Sequence, residues 1–379
     1  RNQPLVRLGI EWQQNGVILP DTYLLDYDTI LENARSIKQA GDANGVQNFF
    51  MLKQIGRNPL IARALTDMGY VGAVCVDFRE ALTMVENQIP LGNVGHLVQI
   101  PRAALKKILR AKPVIVTVYT LEKAREISAV CTELGLHQKL MLRVLGEGDM
   151  LYSGQYGGFE LQELDSAVRA IEAMPNVEVG GVCSFPCFLY DEAAQDILPM
   201  PNLRTVQTAA EMLRARGYRD LMLNTPSATC THSIPMIAAA GGTHGEPGHG
   251  LTGTTPYHAG HPDAEERPGY LYVSEVSHNL GDKAYCYGGG HYRRGHMKNA
   301  LVGTTPENAK VVPVLPPDDS SIDYHFELQQ NCPVSAAAVM AFRTQFFVTR
   351  SRVAVVKGLS SGKPELAGLY SALGEPVRD

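Results

Sequence analysis

Eight short apolar runs alternate with segments of helical spacing along the first two thirds of the chain, and this alternation most narrows the folds open to it. The runs are VQNFFML (46–52), VGAVCV (71–76), VGHLVQI (94–100), PVIVTVY (113–119), KLMLRVL (139–145), VEVGGVCS (177–184) and DLMLNT (220–225), with a short eighth within 241–250. Helical patterns cover 27–40, 59–68, 78–86, a stretch opening at Pro101, 121–134, 161–174, 203–216 and 230–240. Ile30, Leu31, Ala34 and Ile37 show the spacing of one helix face. Continuous apolar strands fit a parallel sheet covered on both faces. Strict alternation over 200 residues or more predicts a (β/α)8 TIM barrel. A doubly wound sheet is the alternative, but it calls for Gly-x-Gly-x-x-Gly after the first strand, and none follows Phe50.

Beyond Gly250 the texture changes. Residues 252–269 are rich in Gly, Pro, Thr and His, and short turn-bounded runs follow at 270–278, 283–287, 300–303, 310–315, 323–328 and 352–356. They predict a mainly antiparallel β domain. The expected divisions are 1–25, an N-terminal segment of the β domain or barrel edge, 26–250, the barrel, and 251–379, the β domain. A chain of 379 residues exceeds what one core usually organises. Its net charge of -5 and pI near 6.1 give no reason to expect nucleic acid or an anionic membrane as partner. No apolar stretch reaches the ~20 residues of a membrane span, and Arg1-Asn2-Gln3-Pro4 lacks the apolar core of a signal peptide. Seven cysteines at irregular spacing fit free thiols. The chain therefore reads as cytoplasmic.

In a barrel, chemistry gathers where the strands end. Those ends carry Lys53, His96, Tyr119, Arg143, Ser184, Asn224 and Glu246. A lysine at an apolar strand end either snorkels to solvent or, desolvated, becomes a nucleophilic amine. The Gly- and Thr-rich stretch GGTHGEPGHGLTGTTP (241–256) is either a linker or a nest of backbone N–H groups suited to a phosphate. A second candidate phosphate loop, 224–229, follows the seventh strand. TIM barrels commonly hold phosphate through the loops after strands seven and eight.

A strand ending in a lysine, a barrel and a following β domain together resemble the fold-type III pyridoxal phosphate (PLP) enzymes, which include alanine racemase and the ornithine and diaminopimelate decarboxylases. More narrowly, FFMLKQIGRNP, GHLVQIP, YGGGHYRRGH and FRTQFFVTRS resemble the YhfX-type branch of that superfamily over nearly the whole chain. The resemblance implies PLP as cofactor, with Lys53 as its Schiff-base lysine. Glu246-Pro247-Gly248 looks like the decarboxylase Glu-Pro-Gly-Arg motif, whose glutamate pairs with the pyridine nitrogen where alanine racemase has an arginine. His249 replaces the motif's arginine, and the amides of Gly248 and His249 remain as phosphate donors. Ser227 and Thr229 resemble the hydroxyls that reach the phosphate, although Thr225 or Ser227 could equally cap a helix. His96, Arg143 and Asn224 join them as cofactor contacts from the barrel mouth.

Other positions depart from the family. Phe185 stands where these enzymes place a histidine over the cofactor ring, and it either stacks there or belongs to the core. Gln155 or Tyr156 stands where the family has an arginine or lysine. Asn331-Cys332-Pro333 occupies the stretch of a Cys-acid pair that enters from the partner subunit. The acid is missing, which leaves Cys332 as a candidate second proton donor or a small buried residue. Relatives such as D-serine dehydratase carry zinc in the β domain, but Cys286, His291 and His296 share no helical face, and no metal is expected. The expected function is a PLP-dependent, racemase- or decarboxylase-like enzyme acting on an amino acid or amine, as a homodimer. The alternatives are a non-catalytic PLP carrier and a D-serine dehydratase- or aldolase-like enzyme with an added metal.

Overall fold

A computed structural model describes residues 1–378. Contacts divide the chain into two compact units, one of residues 1–33, 53–58 and from 251 onward, the other of residues 34–52 and 59–250.

The second unit is a parallel barrel. Its strands are Gln47–Asn48, Phe50–Met51, Ala73–Cys75, Leu91–Val94, Ile115–Val118, Gln138–Leu145, Val177–Cys183, Met222–Asn224 and His244–Gly245. The first two segments are halves of one strand, so eight strand positions close the ring. One half pairs with the last strand (His244 with Gln47, Gly245 with Asn48), and the other pairs with the second (Phe50 with Ala73). Backbone bonds from Phe49 N to Gly245 O (3.0 Å) and Met51 N to Pro247 O (2.9 Å) stitch the seam. Helices such as Pro59–Asp67, Phe78–Glu86, Arg102–Arg110, Leu121–Leu134 and Pro201–Ala215 connect successive strands. Their buried stripes, for example Ala104, Leu105, Ile108 and Leu109, provide the apolar faces such helices need. Leu121–Leu134 begins at a Thr120 cap and ends at Gly135 with φ 65°.

Two details differ from expectation. The third strand is Leu91–Val94, not 94–100, because Gly95 adopts φ 89° and ends the extended run. The helix expected over 230–240 is only Ile234–Ala239, since Cys230 to Ser233 form a hydrogen-bonded turn.

The first unit is built on a nine-stranded sheet. Its order runs Lys283–Tyr287, His325–Leu328, Lys310–Leu315, Asn299–Gly303, Ala337–Met340, Tyr270–Leu280, Thr22–Asp26, Arg352–Lys357, Glu365–Ser371. Tyr270–Leu280 also pairs with Lys283–Tyr287, which joins the first six strands into a ring. All pairings are antiparallel except Thr22–Asp26 with Arg352–Lys357. The helix Gln3–Gln14 lays Leu5, Leu8 and Ile10 on Leu24, Leu271, Val273, Val339 and Val356. No helix among the described residues is long and apolar enough to cross a membrane.

Candidate active site

The barrel interior holds a polar cluster centred on Glu246. This residue leaves the end of His244–Gly245, and its side chain is fully buried. Oε1 accepts from Asn224 Nδ2 (2.6 Å), at the end of the seventh strand, and from Asn93 Nδ2 (3.2 Å), on the third. Its backbone N–H donates to Thr229 Oγ1 (3.2 Å). Oε2 is buried and accepts no hydrogen bond; it lies 3.5 Å from Nε2 of His96, beyond hydrogen-bond range. Asn93 is fixed in turn, because Thr117 Oγ1 donates to its Oδ1 at 2.7 Å.

A second chain of contacts starts at Arg143. Its Nη1 donates to the Tyr119 hydroxyl (2.8 Å), its Nη2 donates to the Gln155 carbonyl (2.8 Å), and its guanidinium carbon lies 4.9 Å from the Tyr119 ring centre. Tyr119 donates onward to the His96 carbonyl at 2.7 Å. Burial pushes the Tyr119 hydroxyl above its ordinary range, partly opposed by Arg143, so it remains a donor. His96 meets Phe185 edge to face at 5.6 Å, and Tyr152 packs on the other ring contact of Phe185, also at 5.6 Å. Arg143 and Tyr119 are thus linked to the backbone of His96, whose ring lies beside Glu246.

The structure places the other predicted residues as follows. Lys53 starts a 3-10 turn, Lys53–Ile55, two residues beyond the first strand's end at Met51. Gly248, buried, and His249, half-buried, lie in the turn after the eighth strand. Gly245 lies against Asn48 and Thr229, leaving an added Cβ only 2.8 Å from Asn48 Oδ1 and from Thr229 Cγ2. Ser227 donates to the Phe188 carbonyl (2.7 Å), whereas Thr229 accepts from Glu246 and keeps its hydroxyl proton for another acceptor. Gln155 contributes its carbonyl to Arg143, and its own Oε1 is buried without a hydrogen bond. Cys332 belongs to the β unit. There its backbone is tied to Asn279 in both directions (3.0 and 2.9 Å), its Sγ lies 3.6 Å from the Gln330 carbonyl, and burial raises its thiol. Asn93 and Thr117, which support Glu246, are absent from the sequence-based set. Their signal is weak, a lone Asn in LGNV and a Thr inside an apolar strand.

Relatedness agrees with this architecture. Residues 25–256 match the alanine racemase N-terminal domain family, and residues 271–366 match the YhfX-like C-terminal domain family. Among solved structures, D-threonine aldolase from Filomicrobium marinum superposes with a TM-score of 0.67 at 17% identity, covering 93% of this chain and 94% of that one. Alanine racemase of Clostridium difficile 630, in complex with cycloserine, gives 0.67 at 15% identity, covering 94% and 99%. The fold is therefore that of the alanine racemase class. Within that class, the chain is 43% identical over 379 residues to the uncharacterized protein YhfX of Escherichia coli strain K12, covering 100% of this chain and 97% of the relative. The chain belongs to the YhfX family.

Glu246 supplies a test of whether the barrel suits PLP. A buried carboxylate oxygen without a hydrogen bond is costly to leave unmade. It fits a cationic N–H donor such as a protonated pyridine nitrogen. The glycine-lined turn at 245–250 and the Thr229 hydroxyl suit a phosphate on the same loops. The residues present fit the group.

Proposed function

We propose that this chain is a PLP-dependent enzyme that acts on a free amino acid or amine, with Lys53 taking the cofactor's aldehyde. The observation that carries the reading is the buried Oε2 of Glu246, left without a hydrogen bond at the end of the eighth strand of an alanine racemase-type barrel. When bound, PLP would supply an aldehyde for the substrate amine and an electron-withdrawing pyridine ring for its Cα. Glu246 holds the proton on that ring nitrogen at Oε2, while Asn93 and Asn224 hold Oε1. Arg143 supplies a buried positive charge fixed by Tyr119 and the Gln155 carbonyl. Thr229 and the backbone N–H groups of Gly248 and His249 donate to the phosphate. Ser227 joins them if its hydroxyl turns from Phe188. Phe185, braced by His96 and Tyr152, covers one face of the cofactor. The Lys53 amine would hold the aldehyde and would be the group that takes and returns the Cα proton.

A carboxylate in this role favours decarboxylation, or racemisation that keeps the ring protonated, over the arginine-paired chemistry of alanine racemase. The second proton donor is Cys332 of a partner subunit in a homodimer. The proposed location is the cytoplasm. The added β domain argues against a bare cofactor carrier, because a carrier has no use for a second folded unit of this size. The test is a spectral screen of PLP-loaded protein against D- and L-amino acids and amines. A substrate should displace the bound cofactor's absorbance band and be consumed over time. A band that no compound moves, in a protein that binds PLP tightly, would instead establish the carrier.

A further inference from the structure

We infer that Thr117 and Asn93 form a positioning relay that fixes which oxygen of Glu246 faces the cofactor ring. This inference rests on the PLP reading above and extends it to residues that never touch the cofactor. The two lie on paired barrel strands, Leu91–Val94 and Ile115–Val118, and each is at most 1% exposed. With water excluded, every hydrogen must go to a neighbour.

The direction of the chain can be worked out from donor and acceptor inventories. The Thr117 hydroxyl donates its hydrogen to Asn93 Oδ1, 2.7 Å away. A hydroxyl that donates there requires the oxygen end of the Asn93 amide to face it. The NH2 end is thereby turned toward Glu246, where it donates to Oε1 at 3.2 Å. Asn224 delivers a second N–H to the same oxygen at 2.6 Å. Two donors on Oε1 leave Oε2 as the position where this carboxyl can hold or receive a proton. Without the relay, the Asn93 amide is free to flip and present its oxygen to Glu246. That would set two acceptors against each other.

The same geometry separates the relay from simple core packing. A purely structural Thr117 would tolerate Val, which matches it in shape and fills the same space, with no change at the cofactor. A relay would not. The experiment uses full-length protein, titrated with PLP and followed by absorbance, with circular dichroism and thermal melts as controls for folding. Thr117→Val should weaken PLP binding roughly fivefold, the cost of about one hydrogen bond. It should also move the pH midpoint of the bound cofactor's absorbance, while Thr117→Ser, which keeps the hydroxyl, should match wild type in both. If Thr117→Val does not fold, Thr117→Ala takes its place with the same expectation. Wild-type affinity and an unmoved pH midpoint in the folded Val or Ala variant would overturn the relay. If Glu246→Gln nevertheless alters the spectrum, the cofactor reading survives that result. Wild-type protein that takes up no PLP would overturn the cofactor reading and the relay with it.

Discussion

Two carboxylates, half-buried Asp21 in one compact unit and buried Glu246 in the other, are held in different ways. Asp21, in the β unit, accepts from the hydroxyls of Tyr272 (2.9 Å) and Ser351, close to Arg350. Its donors come from strands that flank its own, so the side chain knits the turn at 21 to the sheet. Burial outweighs these bonds and pushes its carboxyl up to about 6. Glu246, in the barrel, likewise takes both donors on one oxygen, but they are amides, and its other oxygen is buried without a hydrogen bond. Hydroxyls can turn to follow a carboxyl's protonation state, whereas oriented amides commit to one arrangement. In the proposed reading Glu246 meets the cofactor, whereas Asp21 ties its turn to the neighbouring strands.

That contrast is open to substitution. The largest expected effect is on Glu246→Gln, which removes the charge but keeps the shape. The protein should fold and bind PLP, while any step that moves the Cα proton slows by roughly a hundredfold, about 3 kcal/mol of lost stabilisation. Stopped-flow or steady-state rates with a substrate found in the screen would check this, and undiminished turnover would return Glu246 to a structural role like that of Asp21.

Asp21→Asn should act on stability instead. The folded-state value near 6 lies above the ordinary 3.8, so the folded chain holds this proton more tightly than the unfolded chain. The resulting stability is full below about 3.8 and is lost as pH rises through about 6. Asn, which tolerates the φ of 62° found here, removes that titration. Denaturant unfolding should show about 2 kcal/mol less difference between pH 4 and pH 8 in the variant than in wild type. An unchanged slope would mean that Asp21 does not titrate in this range. The smallest effect is expected of Ser351→Ala, which removes one donor from Asp21. It should cost about 1 kcal/mol and move the inflection in stability above pH 6, because the lost bond favoured the charged form.

How much of this was legible in the sequence depended on what each residue packs against. The barrel was read from its apolar runs, and Lys53 and Glu246 from the strand ends where such runs stop. Asn93 lies outside the expected strands, in LGNV, where a glycine and an asparagine carry little strand preference. In the fold, Gly92 is there for close packing, since an added Cβ would come within 2.5 Å of the Phe49 ring. The neighbouring VGHLVQI looked more like a strand, but Gly95 turns the chain within it. In the β unit, Ala337–Met340 escaped notice because alanine has little strand preference and its burial is decided by neighbouring strands. The helix Gln3–Gln14 was hidden by its polar residues, and its apolar stripe gains meaning only against the sheet it covers. Thr117 carries no signal at all in one sequence, since its role follows from the amide it orients.

The central claim is that Lys53 takes the cofactor's aldehyde, and the most direct measurement is covalent. Protein incubated with PLP, reduced with borohydride and digested should yield a single phosphopyridoxyl-modified peptide containing Lys53, and Lys53→Ala should abolish both the label and the yellow colour. A label on Lys38 or Lys112, or no label on protein with native circular dichroism, would contradict the account.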